Sequence, residues 1–160
     1  MQRRLLAIYL NDHLAGSTVG LELARRTARE NAGNPLGVFL SEVLVPEIVA
    51  DRETLRALMA RLGIPESRVK VTAGWLLEKL GRAKLNGEWR RYSPLSRLLE
   101  LEGLTAGIEA KRAMWVALAE IHDGGAAWEA VDLHHLAERA QSQHERLEEH
   151  RLAAAAAALR

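Results

Sequence analysis

The chain has 160 residues, carries 22 lysines and arginines against 21 aspartates and glutamates, and contains no cysteine. This length suits one domain over residues 1–160 with a core of its own, and the missing thiols exclude disulfide frameworks, thiolate metal sites and cysteine nucleophiles. A net charge of +1 provides no global attraction for nucleic acid or anionic lipid, and no uncharged stretch approaches the roughly 20 apolar residues a bilayer requires, so the sequence predicts a soluble, cytoplasmic protein.

Alanine, leucine, glutamate and arginine dominate while aromatic and β-branched residues are few, which predicts an all-α chain. The opening MQRRLLAIYLNDH begins as a signal peptide does, but Asn11, Asp12 and His13 cut the apolar run short, so it reads as the start of a helix. That helix extends from about Arg3 to Asn31, with Leu6, Leu10, Leu14, Ser17, Leu21, Ala24 and Ala28 as its stripe. The sequence AGNP ends it: Gly33 suits a left-handed position, Asn34 caps the next helix and Pro35 takes its first position.

The second helix reaches about Leu62 through Leu40, Leu44, Ile48, Asp51, Leu55 and Leu58, and Gly63 ends it. Pro46 predicts a kink just before Glu47, since it removes a backbone hydrogen bond. A third helix opens at Ser93 and Pro94 and runs to about His122, where DGG breaks it; a fourth starts near Asp132 and continues through the alanine run. Residues 63–93 form a connection of about thirty residues with a short helical pattern of its own at Val69, Trp75, Leu76 and Leu80. A helix of about 27 residues is about 40 Å long, and this connection can span it. The first two helices, joined by a few residues, are predicted to be antiparallel, and the third to lie parallel to the second. The expected architecture is an up-down-down-up four-helix bundle with one long crossover, the ferritin-like arrangement.

Bundle cores become metal sites when inward carboxylates and imidazoles converge, commonly through Glu-x-x-His pairs that put both side chains on one face. None of the six histidines has a glutamate three residues before it, and Asp132 with His135 is better explained as a helix cap. Phosphate-binding glycine loops, HExxH and the GxSxG elbow are also missing. What remains is a partial constellation: Glu47 and Asp51 on helix two, Glu102 and Glu109 on a helix-three stripe with Leu95, Leu99, Ala106 and Ala113, and His144 between Ala140 and Leu147.

Buried carboxylates need a partner, and with 22 basic residues available, pairing with Arg or His is the expected solution. The competing metal set is Glu47, Asp51, Glu102 and His144. His13 with Ser17 offers a base and a nucleophile without a third orienting group. Gly103 and Gly107 predict close helix packing within the molecule, and a third option is a small-molecule pocket near Pro46, lined by Met114 and Trp115. The basic and aromatic stretch KLGRAKLNGEWRRY reads as a solvated crossover anchored by its aromatics, and no nucleic-acid partner is expected.

The helix order, the LEGL that contains Glu102 and the ETLRALMARLG closing helix two resemble bacterial ferritin-like stress proteins of the YciF type. The resemblance implies Glu102 as the helix-three ligand and Glu47 with Asp51 as the helix-two contribution. Ser17 stands where the family has a helix-one glutamate, and Gln143 or His144 where it has a helix-four acid. With two carboxylates replaced, the expected function is a non-catalytic binding or structural module without a cofactor, and the expected assembly is a homodimer. The alternative is a di-iron-like oxidoreductase using the atypical carboxylate and histidine set.

Overall fold

The computed structural model describes residues 2–67, 92–122 and 124–160. Every regular element among them is helical: α1 (Gln2–Glu30), α2 (Pro35–Phe39), a π-helical turn (Leu40–Leu44), α3 (Val45–Arg61), α4 (Pro94–Ile121) and α5 (Leu133–Leu159). The expected crossover helix and most of the basic stretch lie outside the described residues.

Local chemistry sets the ends of these helices. Three N-caps hold as the sequence predicts: Asn34 accepts from Gly37 N, Ser93 from Ser96 N and Asp132 from His135 N. Gly33 and Gly63 follow helix ends with φ of 86° and 62°, a region that glycine enters without steric cost. The corner between α1 and α2 is tight. A Cβ on Gly37 would lie 2.1 Å from the Asn31 carbonyl oxygen, so only glycine fits there.

Pro46 lacks an N–H, and its ring would strike the carbonyl four residues earlier in a regular helix. The chain answers with the π-helical turn immediately upstream, in which Val45 N donates to Leu40 O five residues back. α2, this turn and α3 therefore form one rod from Pro35 to Arg61.

End contacts give the sense of each pairing. Arg3, early in α1, donates to the carbonyls of Leu62 and Gly63 just past α3, while Thr27, late in α1, donates to Glu100 early in α4. Glu47 of α3 meets Arg146 of α5, and Asp51, a turn later, meets Arg139, a turn or two earlier. Glu102 of α4 approaches Arg151 of α5, whereas Lys111 meets Gln143. Each of these four pairings is antiparallel.

The stripes read from sequence for α1 and for the rod through α3 are the buried ones, including Leu10, Leu14, Leu40, Leu44, Asp51, Leu55 and Leu58. The α4 stripe is not. Its buried face is Leu101, Leu104, Ile108, Trp115 and Leu118, whereas Glu102, Ala106 and Ala113 are exposed. Leucine, isoleucine and tryptophan bury far more apolar area than the alanines of the other phase, and they win the interior.

The apolar interior forms two clusters. One gathers the C-terminal half of α1, α2 with its π turn, and the first half of α4; the other gathers Leu10, Leu14, Leu55, Leu58, Met114, Trp115, Leu118 and Leu136. Polar residues occupy the level between them. Ser17 lies between Leu14 and Leu21, Asp51 between Ile48 and Leu55, and Lys111 between Ile108 and Trp115.

Candidate functional site

At this level Asp51 is buried and both of its oxygens are engaged. Oδ1 accepts from Arg139; Oδ2 accepts from Lys111 Nζ at 2.5 Å and from Gln143 Nε2 at 3.2 Å. Lys111 Nζ also donates to Gln143 Oε1. One carboxylate thus faces two cations in a largely dry setting, with side-chain exposures of 4 % for Asp51, 16 % for Lys111 and 26 % for Arg139. Burial pushes the Lys111 amine below the ordinary lysine range, and Asp51 opposes that shift without cancelling it. Two of the three ammonium donors are used in this way.

Beside this quartet a cavity of about 460 Å³ opens between α1 and α4. Apolar walls come from Ile48, Leu55, Leu104, Ile108, Met114 and Trp115, and polar groups from Asp12, His13, Ser17, Arg52, Asp51 and Lys111. Four glycines line it, Gly16 and Gly20 on α1 and Gly103 and Gly107 on α4. A Cβ at Gly16, Gly20 or Gly107 would meet nothing within 4 Å. The close helix packing expected at Gly107 is therefore not what the structure holds; there the small residues leave space. The expected placement of Met114 and Trp115 does hold, although Ile48, Asp51, Arg52 and Leu55, rather than Pro46 itself, supply the wall from that rod.

Trp115 has no exposed surface, and its indole Nε1 has no hydrogen-bond partner among the described residues. A buried donor left unpaired costs about 1–3 kcal/mol, so such groups call for an explanation. His13 stacks edge-on with Tyr9, and burial lowers its pKa against the field of Asp12. Ser17 Oγ donates to the Leu14 carbonyl at 2.5 Å, which commits its proton to its own helix. The proposed base and nucleophile share the cavity wall without a described bond between them.

The metal set is distributed differently from its sequence reading. Glu47 accepts two hydrogen bonds from Arg146, at 2.8 and 3.0 Å. The Glu102 side chain is 48 % exposed and lies 3.9 Å from Arg151. Nine residues separate it from Lys111, about 13 Å along the helix. His144 lies beside the buried Gln143 on α5 and is half-buried. No three histidine, aspartate or glutamate side chains converge as a metal-holding group among the described residues. Glu109 itself is paired with Arg112, at 2.7 and 2.9 Å.

A second polar cluster was not anticipated. Glu100 is 2 % exposed and accepts from Thr27 Oγ1 and the Tyr92 hydroxyl, each at 3.0 Å, with Arg26 Nε at 3.3 Å. The buried Asn31 donates to Tyr92 at 2.8 Å and to the Thr27 carbonyl at 2.8 Å. Burial raises the Glu100 pKa despite these donors, and pushes Tyr92 up to about 12, helped by the adjacent carboxylate. This cluster joins the end of α1 to the start of α4, and every polar side chain in it is spoken for by another.

Compared with protein-family models, with curated proteins and with solved structures, the chain gives no match. No helix among the described residues is long and apolar enough to cross a membrane.

Proposed function

We propose that this chain is a small-molecule binding module built on an up-down-down-up, ferritin-like bundle, with the cavity between α1 and α4 as its site. The antiparallel pairings of α1 with α3, α1 with α4, α3 with α5 and α4 with α5 support that topology. The reading rests above all on one observation: a cavity of about 460 Å³ with mostly apolar walls and Lys111 and Asp51 among its few polar groups, a size in the range of small-ligand sites. The pairing at the centre of the bundle supports a non-catalytic reading. Where a bundle of this topology would gather metal ligands, Asp51 is already neutralised by the ammonium of Lys111 and the guanidinium of Arg139. The exposed Leu5 and Ile8 at the start of α1 favour self-association into a homodimer, which light scattering would read.

Nile red, a neutral apolar dye, tests the cavity. It should bind the wild-type protein in one saturable step and lose that binding in the double variant Gly16→Leu/Gly107→Leu, which fills the space from both helices. Dye binding that is equal in the filled variant, or absent from the wild type, would contradict the reading.

A further inference from the structure

We infer that the ligand of this cavity is an amphiphilic carboxylate, an apolar body between α1 and α4 with its anionic head at Lys111; this inference rests on the cavity reading above. Charge decides the head. The buried quartet holds one carboxylate against two cations, so the level of the bundle that the cavity touches carries one uncompensated positive charge. The field of Glu47 reaches Lys111, but Arg146, bound to both Glu47 oxygens, brings a charge of its own and leaves the surplus in place. Asp12 on α1 is exposed, where water screens it. Arg52, at the same wall, donates from one nitrogen to Thr18 Oγ1, and its buried Nε has no partner among the described residues.

Donor count points the same way. The Lys111 ammonium has three N–H groups and gives one each to Asp51 and Gln143, and the third has no partner among the described residues. A cationic head would be repelled by the surplus charge. A neutral hydroxyl would accept one bond but leave the charge unmet. The body is set by the walls: Leu104, Ile108 and Met114 of α4 face Ile48 and Leu55 of α3 across the space that the glycines leave open.

Displacement of Nile red by three ten-carbon probes separates the possibilities: decanoate, 1-decanol and decyltrimethylammonium. Decanoate should displace the dye at about tenfold lower concentration than the other two, and the preference should disappear in Lys111→Met, in which Asp51 keeps Arg139 and Gln143. Decanol or the cation competing as well as decanoate would overturn the carboxylate assignment while leaving the cavity reading intact, as would a failure of all three to displace bound dye. Should Lys111→Met not fold, the wild-type ranking alone decides. If Nile red itself does not bind, or binds the filled variant equally, the cavity reading fails and this inference fails with it.

Discussion

Asp51→Ala is the most informative single substitution for the centre of the bundle. It removes the only carboxylate of the quartet and leaves Lys111, 16 % exposed, with Gln143 as its one remaining partner, and Arg139 with none at that end. Removing one member of a buried ion pair costs about 3–5 kcal/mol, because the surviving charge keeps its desolvation penalty without its compensation. At roughly 2–4 °C per kcal/mol for a chain of this size, the melting temperature should fall by about 10 °C. Urea denaturation followed by circular dichroism gives the free energy, and an unchanged slope shows that the same surface is exposed on unfolding. The companion variant Asp51→Ala/Lys111→Met should recover part of the loss, since the methionine removes the orphaned ammonium and keeps its volume. A cost below about 1 kcal/mol for Asp51→Ala, or a double variant whose loss is the plain sum of the singles, would refute the argument that this pair is buried and coupled.

Gly37→Ala should destabilise by about 3 kcal/mol, since its Cβ would overlap the Asn31 carbonyl oxygen, while Gly16→Ala, whose Cβ meets nothing, should gain about 0.5–1 kcal/mol from helix propensity; urea midpoints read both. Glu100 has a raised folded-state pKa, so the folded chain holds its proton more firmly than the unfolded one. Stability should therefore rise as the pH is lowered from neutral towards the ordinary glutamate range, and Glu100→Gln should flatten that dependence in melting curves. Glu102→Ala should change stability by less than about 1 kcal/mol, because its side chain is 48 % exposed beside Arg151, and a chelator-free preparation should show no stoichiometric metal that this substitution removes. Metal bound at one per chain and lost with Glu102 would restore the oxidoreductase alternative.

Most of the helices were readable because their ends are marked by local chemistry. Asn34 with Pro35, Ser93 with Pro94, and Asp132 each combine a side-chain acceptor with a suitable backbone, and Gly33 and Gly63 close the preceding helices. The stripe through Leu40, Leu44, Ile48 and Leu55 was readable too, and so was the presence of Asp51 on it. The α4 register was harder. Residues 98–104 contain leucines in two overlapping phases, and choosing the phase that held Glu102 and Glu109 exposed the wrong carboxylate to view. Glu100 is the buried one, and its partners Thr27 and Tyr92 come from elements 73 and 8 residues away, a proximity that helical periodicity cannot supply.

The partner of Asp51 left a signal that was overlooked. Lys111 is a lone cation on the stripe Leu104, Ile108, Trp115 and Leu118, just as Asp51 is a lone anion on its own stripe. Two unmatched opposite charges on two apolar faces of one bundle are candidates for each other, by the cost of burying either alone. The cavity left a partial trace, since Met114 and Trp115 were expected to line a pocket while the glycines were read as close packing. Glycines four apart in a helix serve close packing in one context and leave open space in another, and only the separation of α1 from α4 decides between them.

The indole N–H resonance of Trp115 offers the most direct reading of the central claim. The indole signals are assigned by comparison with Trp115→Phe and Trp128→Phe in a ¹⁵N-labelled protein titrated with decanoate. Trp115 lines the cavity and Trp128, though buried, does not, so saturable movement of the Trp115 signal with a still Trp128 signal is the predicted result. A Trp115 resonance that stays in place while the carboxylate demonstrably binds would contradict the claim that this cavity is the site.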